Sequence, residues 1–287
     1  MTPNDRTRQE IQQQKELPTL SPNIQRILSA CEDGDINQAA LAQVLGESPT
    51  IAARILGLAN SAFFGQQGRV HSLNHAISVL GMVTVRSVTV GLAMSGLLRT
   101  DRCPRFQADH YWLSAVITAI GASMLNSGIA SDRRPESDSV YMAGLLHNIG
   151  LLALVYLHPT EMDRALAAFA ADPARSLAGH IHDQLGTDHY QAGIWLGSKW
   201  HLPRDLLLVM EYHYDRGYRG EHWPLVLLEG LCASWANLLI NGYDNLDDDP
   251  ASLAALGLTR ATIEIHWARM REKLDDIRQI AALFTKG

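Results

Sequence analysis

The sequence predicts an all-α chain, an N-terminal helical bundle followed by a second helical bundle. Three observations carry this. Apolar residues recur at helical spacing almost throughout the 287 residues, no convincing run of alternating strand residues occurs, and capping residues and prolines punctuate the chain at helix-length intervals. At roughly 150 residues per domain the length suggests about two packed units. Hydrophobic residues make up 47% and charged residues 19%. That balance suits a globular protein and excludes a disordered, collagen-like or disulfide-scaffold chain.

Residues 1–16 read as a polar, mobile leader, without the apolar stretch of a secretory signal. After Pro18 and Pro22, Ile24, Ile27, Leu28 and Cys31 lie on one helical face. Asp35 followed by Gln38 resembles a capping box, opening a helix with Ile36, Leu41, Val44 and Leu45. Ser48-Pro49 supplies an N-cap and a first-turn proline for a helix through Ile51, Ile55 and Leu58, ending near Asn60. Ser72 caps a short helix to Gly81. Met82 to Leu98 is rich in Val and Thr, yet its apolar spacing (Met82, Val85, Val88, Leu92) and length favour a buried helix over a strand.

The segment from Thr100 to Arg105 divides the chain into subdomains at 17–100 and 106–287. Leu113, Val116, Ile117, Ile120 and Met124 mark the next helix, followed by a polar loop around Ser131 to Ser137. Val140 to Leu157 is uncharged and about long enough to span a membrane. His147-Asn148 at its centre, with Gly144 and Gly150 on either side, fits two buried helices meeting at a turn better, so no span is expected. Helices follow Pro159, surround Leu185 and Trp195, run from Pro203 to His213 and from Trp223 to Ile240. Thr259 caps a long amphipathic C-terminal helix after an acidic loop from Asn241 to Pro250.

The formal charge is -6 and no basic stripe is visible, which speaks against direct nucleic-acid binding. Cys31, Cys103 and Cys232 are odd in number and widely spaced, as in a cytoplasmic protein with reduced, buried thiols. There is no P-loop, G-x-G-x-x-G, G-x-S-x-G or H-E-x-x-H.

What remains is a scatter of 12 histidines. His147 sits at a helix end in an apolar context, His189 near a helix start, and His213 between Tyr212 and Tyr214. Each fits either a hydrogen-bonded, partly buried imidazole or a ligand in a metal site, since neutral imidazole is a common ligand. A hydrolytic two-metal site also needs bridging carboxylates, which Asn148 cannot supply. His180 and His182 read as surface residues, and Trp195 and Trp200 as core aromatics. Asn60 ends a helix, while Phe63 and Phe64 pin the following loop to the core. Asn60, Ser61, Phe63 and Phe64 are therefore candidates for a recognition surface. Arg86 in an apolar helix fits either a buried carboxylate partner or an exposed edge.

Several ordered motifs together resemble the HDOD (HD-related output domain) family of bacterial signalling proteins. They are Leu17-Pro18-x-Leu20, Ser48-Pro49, Leu58-Ala59-Asn60-Ser61-Ala62-x-Phe64-Gly65, Ser72-Leu73, Ala76-Ile77 and Leu80-Gly81. Trp112-x-Ser114, Ala143-Gly144-Leu145-Leu146-His147-x-Ile149-Gly150, Gly186-x-Asp188-His189-x-x-Ala192-Gly193 and Trp200-x-Leu202-Pro203 continue them, so that the resemblance covers about residues 17–240. It implies a helical fold related to HD-type metal phosphohydrolases, including those that cleave cyclic di-GMP. Active relatives hold metal with an early His, a His-Asp doublet and a late Asp. Here His147 keeps the first half of the doublet and Asn148 replaces its Asp. Leu113 stands at the early His, and Asn237 is the nearest residue to the late Asp. His189 matches an additional histidine of the cyclic-dinucleotide branch, and His213-Tyr214 a His-His pair with one member lost.

These substitutions imply no metal, no cofactor and no catalytic residues, with His147, Asn148, His189, His213 and Asn237 as remnants. The expected function is a stand-alone, non-catalytic signal-transduction module that binds another signalling protein, within a cyclic di-GMP or two-component network. Two alternatives stay open. One is a metal-dependent phosphohydrolase built on His147, His189 and His213. The other is a protein that binds a nucleotide messenger without cleaving it.

Overall fold

A computed structural model describes residues 7, 22–64, 69–243, 246 and 249–285, apart from the side chains of residues 28 and 32. Leu17, Pro18, Leu20, Gly65 and the Leu28 side chain lie outside the described residues, as does most of the leader. The described chain is all-α, without strands. Its first helices are α1 (Pro22–Glu32), α2 (Gln38–Gly46), α3 (Pro49–Ala59), a 3-10 turn (Ala62–Phe64), α4 (Leu73–Leu80) and α5 (Met82–Leu97). The second set comprises α6 (Ala108–Asn126), α7 (Ser137–Leu146), α8 (Ile149–Leu157), α9 (Pro159–Ala171), α10 (Leu177–Leu185), α11 (His189–Lys199) and α12 (Arg204–Tyr212). It continues through α13 (Trp223–Ile240), α14 (Pro250–Leu256), α15 (Arg260–Glu272) and α16 (Leu274–Thr285).

Local chemistry accounts for most boundaries. The Ser72 and Thr259 hydroxyls accept from the amides of His75 and Thr262, as N-caps do. Pro49 starts α3, although the Ser48 side chain makes no capping bond. The cap of α2 is Asn37, which accepts from the Ala40 amide, rather than Asp35. Met82–Leu97 is helical despite its Val and Thr content because most of it is buried, and burial overrides a weak propensity. Arg86 takes neither of its expected roles. Its guanidinium donates to the Asp33 carbonyl at 2.7 Å, just past the end of α1, whose last carbonyls lack helical partners.

The expected long C-terminal helix is two, broken at Lys273. That break lets α15 and α16 lie against different faces. The second of them, α16, packs on α6 and α5 and reaches α3, so the last helix lies against both helical sets. The Phe284 ring stacks on Trp112 of α6 at 4.6 Å, while Trp267 of α15 meets Trp235 of α13 edge-on at 5.6 Å. Such aromatic pairs add about 1 kcal/mol to their burial.

Central to the second half is α6, flanked by α7 and α13, with α8, α11 and α12 forming a neighbouring layer. The apolar run around His147 is interrupted there, so that α7 and α8 are separate helices. Two segments, Ser137–Leu157 and Trp223–Ile240, are long and apolar enough to cross a membrane, but 72% and 61% of their windows are buried inside the fold. All three cysteines are buried thiols. His180, expected at the surface, is 7% exposed. Its Nε2 lies 3.1 Å from the Asp172 carbonyl and its ring meets Phe169. Next to it on α10, His182 is exposed as expected.

Candidate functional site

Backbone proximity, rather than side-chain reach, gathers the histidines. His147 ends α7, His189 opens α11 and His213 follows α12. At Gly150, a Cβ atom would lie 2.0 Å from the His189 carbonyl oxygen and 2.3 Å from the Gly193 amide nitrogen. At Gly230, a Cβ would lie 2.0 Å from the His213 carbonyl oxygen. Only glycine allows helices to approach this closely. The result is one buried cluster: the His147 and His213 rings meet edge-on at 4.9 Å, and Tyr190 lies 4.0 Å from His189 and 5.3 Å from His213.

The tautomers follow from the partners. A carbonyl only accepts, so His147 Nδ1–H donates to the Gly144 carbonyl at 2.7 Å, and His213 Nδ1–H to the Val209 carbonyl at 2.8 Å. The remaining lone pair of His147, on Nε2, accepts from Asn148 Nδ2 at 3.1 Å. Burial lowers the pKa of both His147 and His189 from 6.5 to about 4. It pushes His213 well below the ordinary histidine range, with His147 adding to the effect. All three imidazoles are therefore neutral at pH 7.

Asn237 does not join this cluster. It is exposed near the end of α13, where its side-chain and backbone oxygens accept from Asn241 Nδ2 at 2.7 and 2.8 Å. The buried acid of that helix is Glu229, fully enclosed, with neither carboxyl oxygen hydrogen-bonded among the described residues. A Cβ on Gly144 would lie 2.8 Å from its Oε2, which places the carboxyl beside the residue whose carbonyl holds His147. Burial raises the Glu229 pKa well above the ordinary value. Sequence reasoning missed this residue although a signal existed: it is the only charged side chain between Trp223 and Ile240.

Active HD-type relatives would place a divalent metal here, and the residues present do not fit it. Asn148 offers an N–H donor to the lone pair that His147 would give a metal, and an amide carries no charge to offset a dication. Leu113 is a buried core residue on α6. Among the described residues, no three His, Cys, Asp or Glu side chains are grouped to hold an ion.

Asn60, Ser61, Phe63 and Phe64 occupy a different place. Asn60 donates from Nδ2 to the Leu56 and Val70 carbonyls, at 2.8 and 2.9 Å, and accepts from the Val70 amide at 2.9 Å. It ties the end of α3 to Val70, while Phe63 and Phe64 meet edge-on at 5.2 Å and pack against the core. A groove of about 460 Å³ runs beside Asn60 and Ser61, with Arg278 and Leu283 of α16 on its other wall.

The HDOD domain model matches residues 17–216. An uncharacterized protein of Treponema pallidum (strain Nichols) is 23% identical over 240 residues, which are 83% of this chain and 45% of that one. The structure of a proposed signal transduction protein from Marinobacter aquaeolei VT8 superposes with a TM-score of 0.79 at 26% identity, over 94% of this chain and 60% of that one. This chain thus spans about half to three-fifths of the length of those two relatives. An HDOD domain protein with unknown function from Geobacter sulfurreducens gives 0.74 at 19% identity, over 96% and 98% of the two chains. A proposed phosphohydrolase from Shewanella amazonensis SB2B gives 0.78 at 20%, over 97% of each. These last two share the fold. The motifs, the helical architecture and the match over residues 17–216 agree: this chain belongs to the HDOD domain family.

Proposed function

We propose that this HDOD protein is a non-catalytic signal-transduction module that acts by binding a partner protein. One observation carries the reading: where a hydrolase needs metal-binding lone pairs and carboxylates, the Asn148 amide takes up the His147 lone pair inside a neutral, buried imidazole cluster. Among the described residues, the imidazole cluster lacks the grouped carboxylate ligands that would hold a dication to polarise a phosphoryl oxygen or generate hydroxide at neutral pH. The formal charge of -6 favours a protein partner over a nucleic acid. Burial of most of the two apolar segments supports a place in the cytoplasm rather than in a bilayer.

The test is turnover by the purified protein with manganese, iron or zinc added, on cyclic di-GMP and on a generic phosphodiester, alongside elemental analysis for bound metal. The expected result is no product above the no-protein control and substoichiometric metal. Metal-dependent product formation that His147→Ala abolishes would overturn the proposal. Equilibrium dialysis with cyclic di-GMP separates the remaining possibility, because saturable binding without product would make a nucleotide, not a protein, the primary ligand.

A further inference from the structure

Above the histidine cluster an aromatic ladder runs from the interior to solvent. His213 is 6% exposed, Tyr190 lies half-buried on it, and Tyr214 stacks on Tyr190 at 4.2 Å with 56% of its surface open. Tyr214 belongs to the small set of large apolar side chains that this fold leaves exposed. Beneath the ladder, the buried His189 leaves Nδ1 without a hydrogen-bond partner among the described residues.

The charges around this stack share one sign. Partial burial raises the Tyr214 pKa, and the nearby carboxylates of Asp188, Asp215 and Glu211 add to the effect. None of the three carboxylates is in a salt bridge among the described residues. Asp188 and Asp215 accept only from nearby amides, those of Gln191 and Gly217. Neighbouring cations are engaged elsewhere: Arg204 with Glu221 at 3.4 Å, Arg219 over the Trp223 ring at 5.3 Å, and Arg216 with the Ser234 hydroxyl. An exposed tyrosine face beside uncompensated carboxylates is complementary to a planar cation, which stacks on the ring while pairing with the acids.

We infer that the Tyr190–Tyr214 stack, bordered by Asp188, Glu211 and Asp215, is a docking surface for an arginine side chain in a basic segment of the partner protein. The inference rests on the proposed partner-binding function and names the chemistry of the partner.

The experiment uses the full chain and a fluorescein-labelled peptide of alternating glycine and arginine, followed by fluorescence anisotropy at low and high salt. The wild type should bind saturably. Tyr214→Ala should weaken binding about tenfold, whereas Tyr214→Phe, which keeps the ring, should bind within about twofold of wild type. Glu211→Gln should cost several-fold and the citrulline counterpart of the peptide should not bind. Because Tyr214 is exposed, its variants should melt with the wild type, which separates lost binding from lost folding. Absence of arginine-peptide binding, equal binding of the citrulline peptide, or indifference to Tyr214→Ala would each overturn the assignment. None of these results bears on turnover, so the docking surface can fail while the non-catalytic reading stands.

Discussion

In the Asn60 clamp, both amide protons and the carbonyl of one side chain find partners within 3 Å and tie the end of α3 to Val70. In the histidine cluster and beside it, His189 Nδ1, Asn148 Oδ1 and both oxygens of Glu229 are buried without a partner among the described residues. The first region uses polar atoms to define the fold. The second carries polar atoms that the fold would be more stable without, since each unpaired buried group costs about 1–3 kcal/mol. On the proposed non-catalytic reading, such unpaired buried groups are remnants, and the contrast sets them apart from polar residues that define the fold.

The largest effect that can break the contrast is acidification. Folded His147 and His189 titrate near pH 4, against 6.5 for an ordinary histidine. Between those values the unfolded chain binds more protons, so the stability these groups allow is complete above about pH 6.5 and is lost as pH falls towards 4. Each imidazole should cost about 2 kcal/mol at pH 5 relative to pH 7.5. His213, shifted in the same direction, adds to the loss. Glu229 opposes it, because its folded pKa is raised and protonation favours the native state. Three imidazoles against one carboxyl leave a net loss, measurable by urea unfolding at pH 7.5 and pH 5. Equal midpoints at the two pH values would mean that the histidines are hydrated and titrate normally.

A smaller effect belongs to the clamp. Asn60→Ala removes three hydrogen bonds, two of them part-buried, and should destabilise the fold by about 2 kcal/mol. Thermal unfolding checks this, with Ser61→Ala as a control that removes a hydroxyl lacking any partner among the described residues. If Asn60→Ala is as mild as that control, the clamp is ornamental and the contrast disappears.

How much of this was legible in the sequence differs between the two regions. Asn60 was readable as a helix end because the signal is local: the apolar spacing of α3 stops there. So were the caps at Ser72 and Thr259 and the break at His147-Asn148. The choice of Asn37 over Asp35 was not, since either short polar side chain can cap and only the backbone path decides. His180 looked exposed on spacing, yet its burial depends on the Asp172 carbonyl and the Phe169 ring that α9 brings to it. Convergence of His147, His189 and His213 is likewise tertiary, set by the contacts that Gly150 and Gly230 permit between helices far apart in sequence. Motif spacing led to Asn237, which lies at the surface, whereas the buried acid of that helix is Glu229, the lone charge of an apolar stretch.

Glu229 also gives the finest test of the contrast. If its carboxyl is an unpaired remnant, Glu229→Met, which keeps the length and discards the polar atoms, should stabilise the protein by about 1–2 kcal/mol at neutral pH. The sign of the pH dependence strengthens the test. A carboxyl with a raised folded pKa keeps its proton in the native state over a pH range, above about 4.5, in which the unfolded chain has released it. Its cost to stability therefore grows with pH, and the gain from Glu229→Met should be larger at pH 8 than at pH 5. Paired urea titrations of the wild type and the variant at both pH values read this difference directly, with the histidine contribution common to each pair. A variant that loses stability would show that the carboxyl has a native partner and serves the fold as Asn60 does, and an equal gain at both pH values would show that burial does not shift its titration.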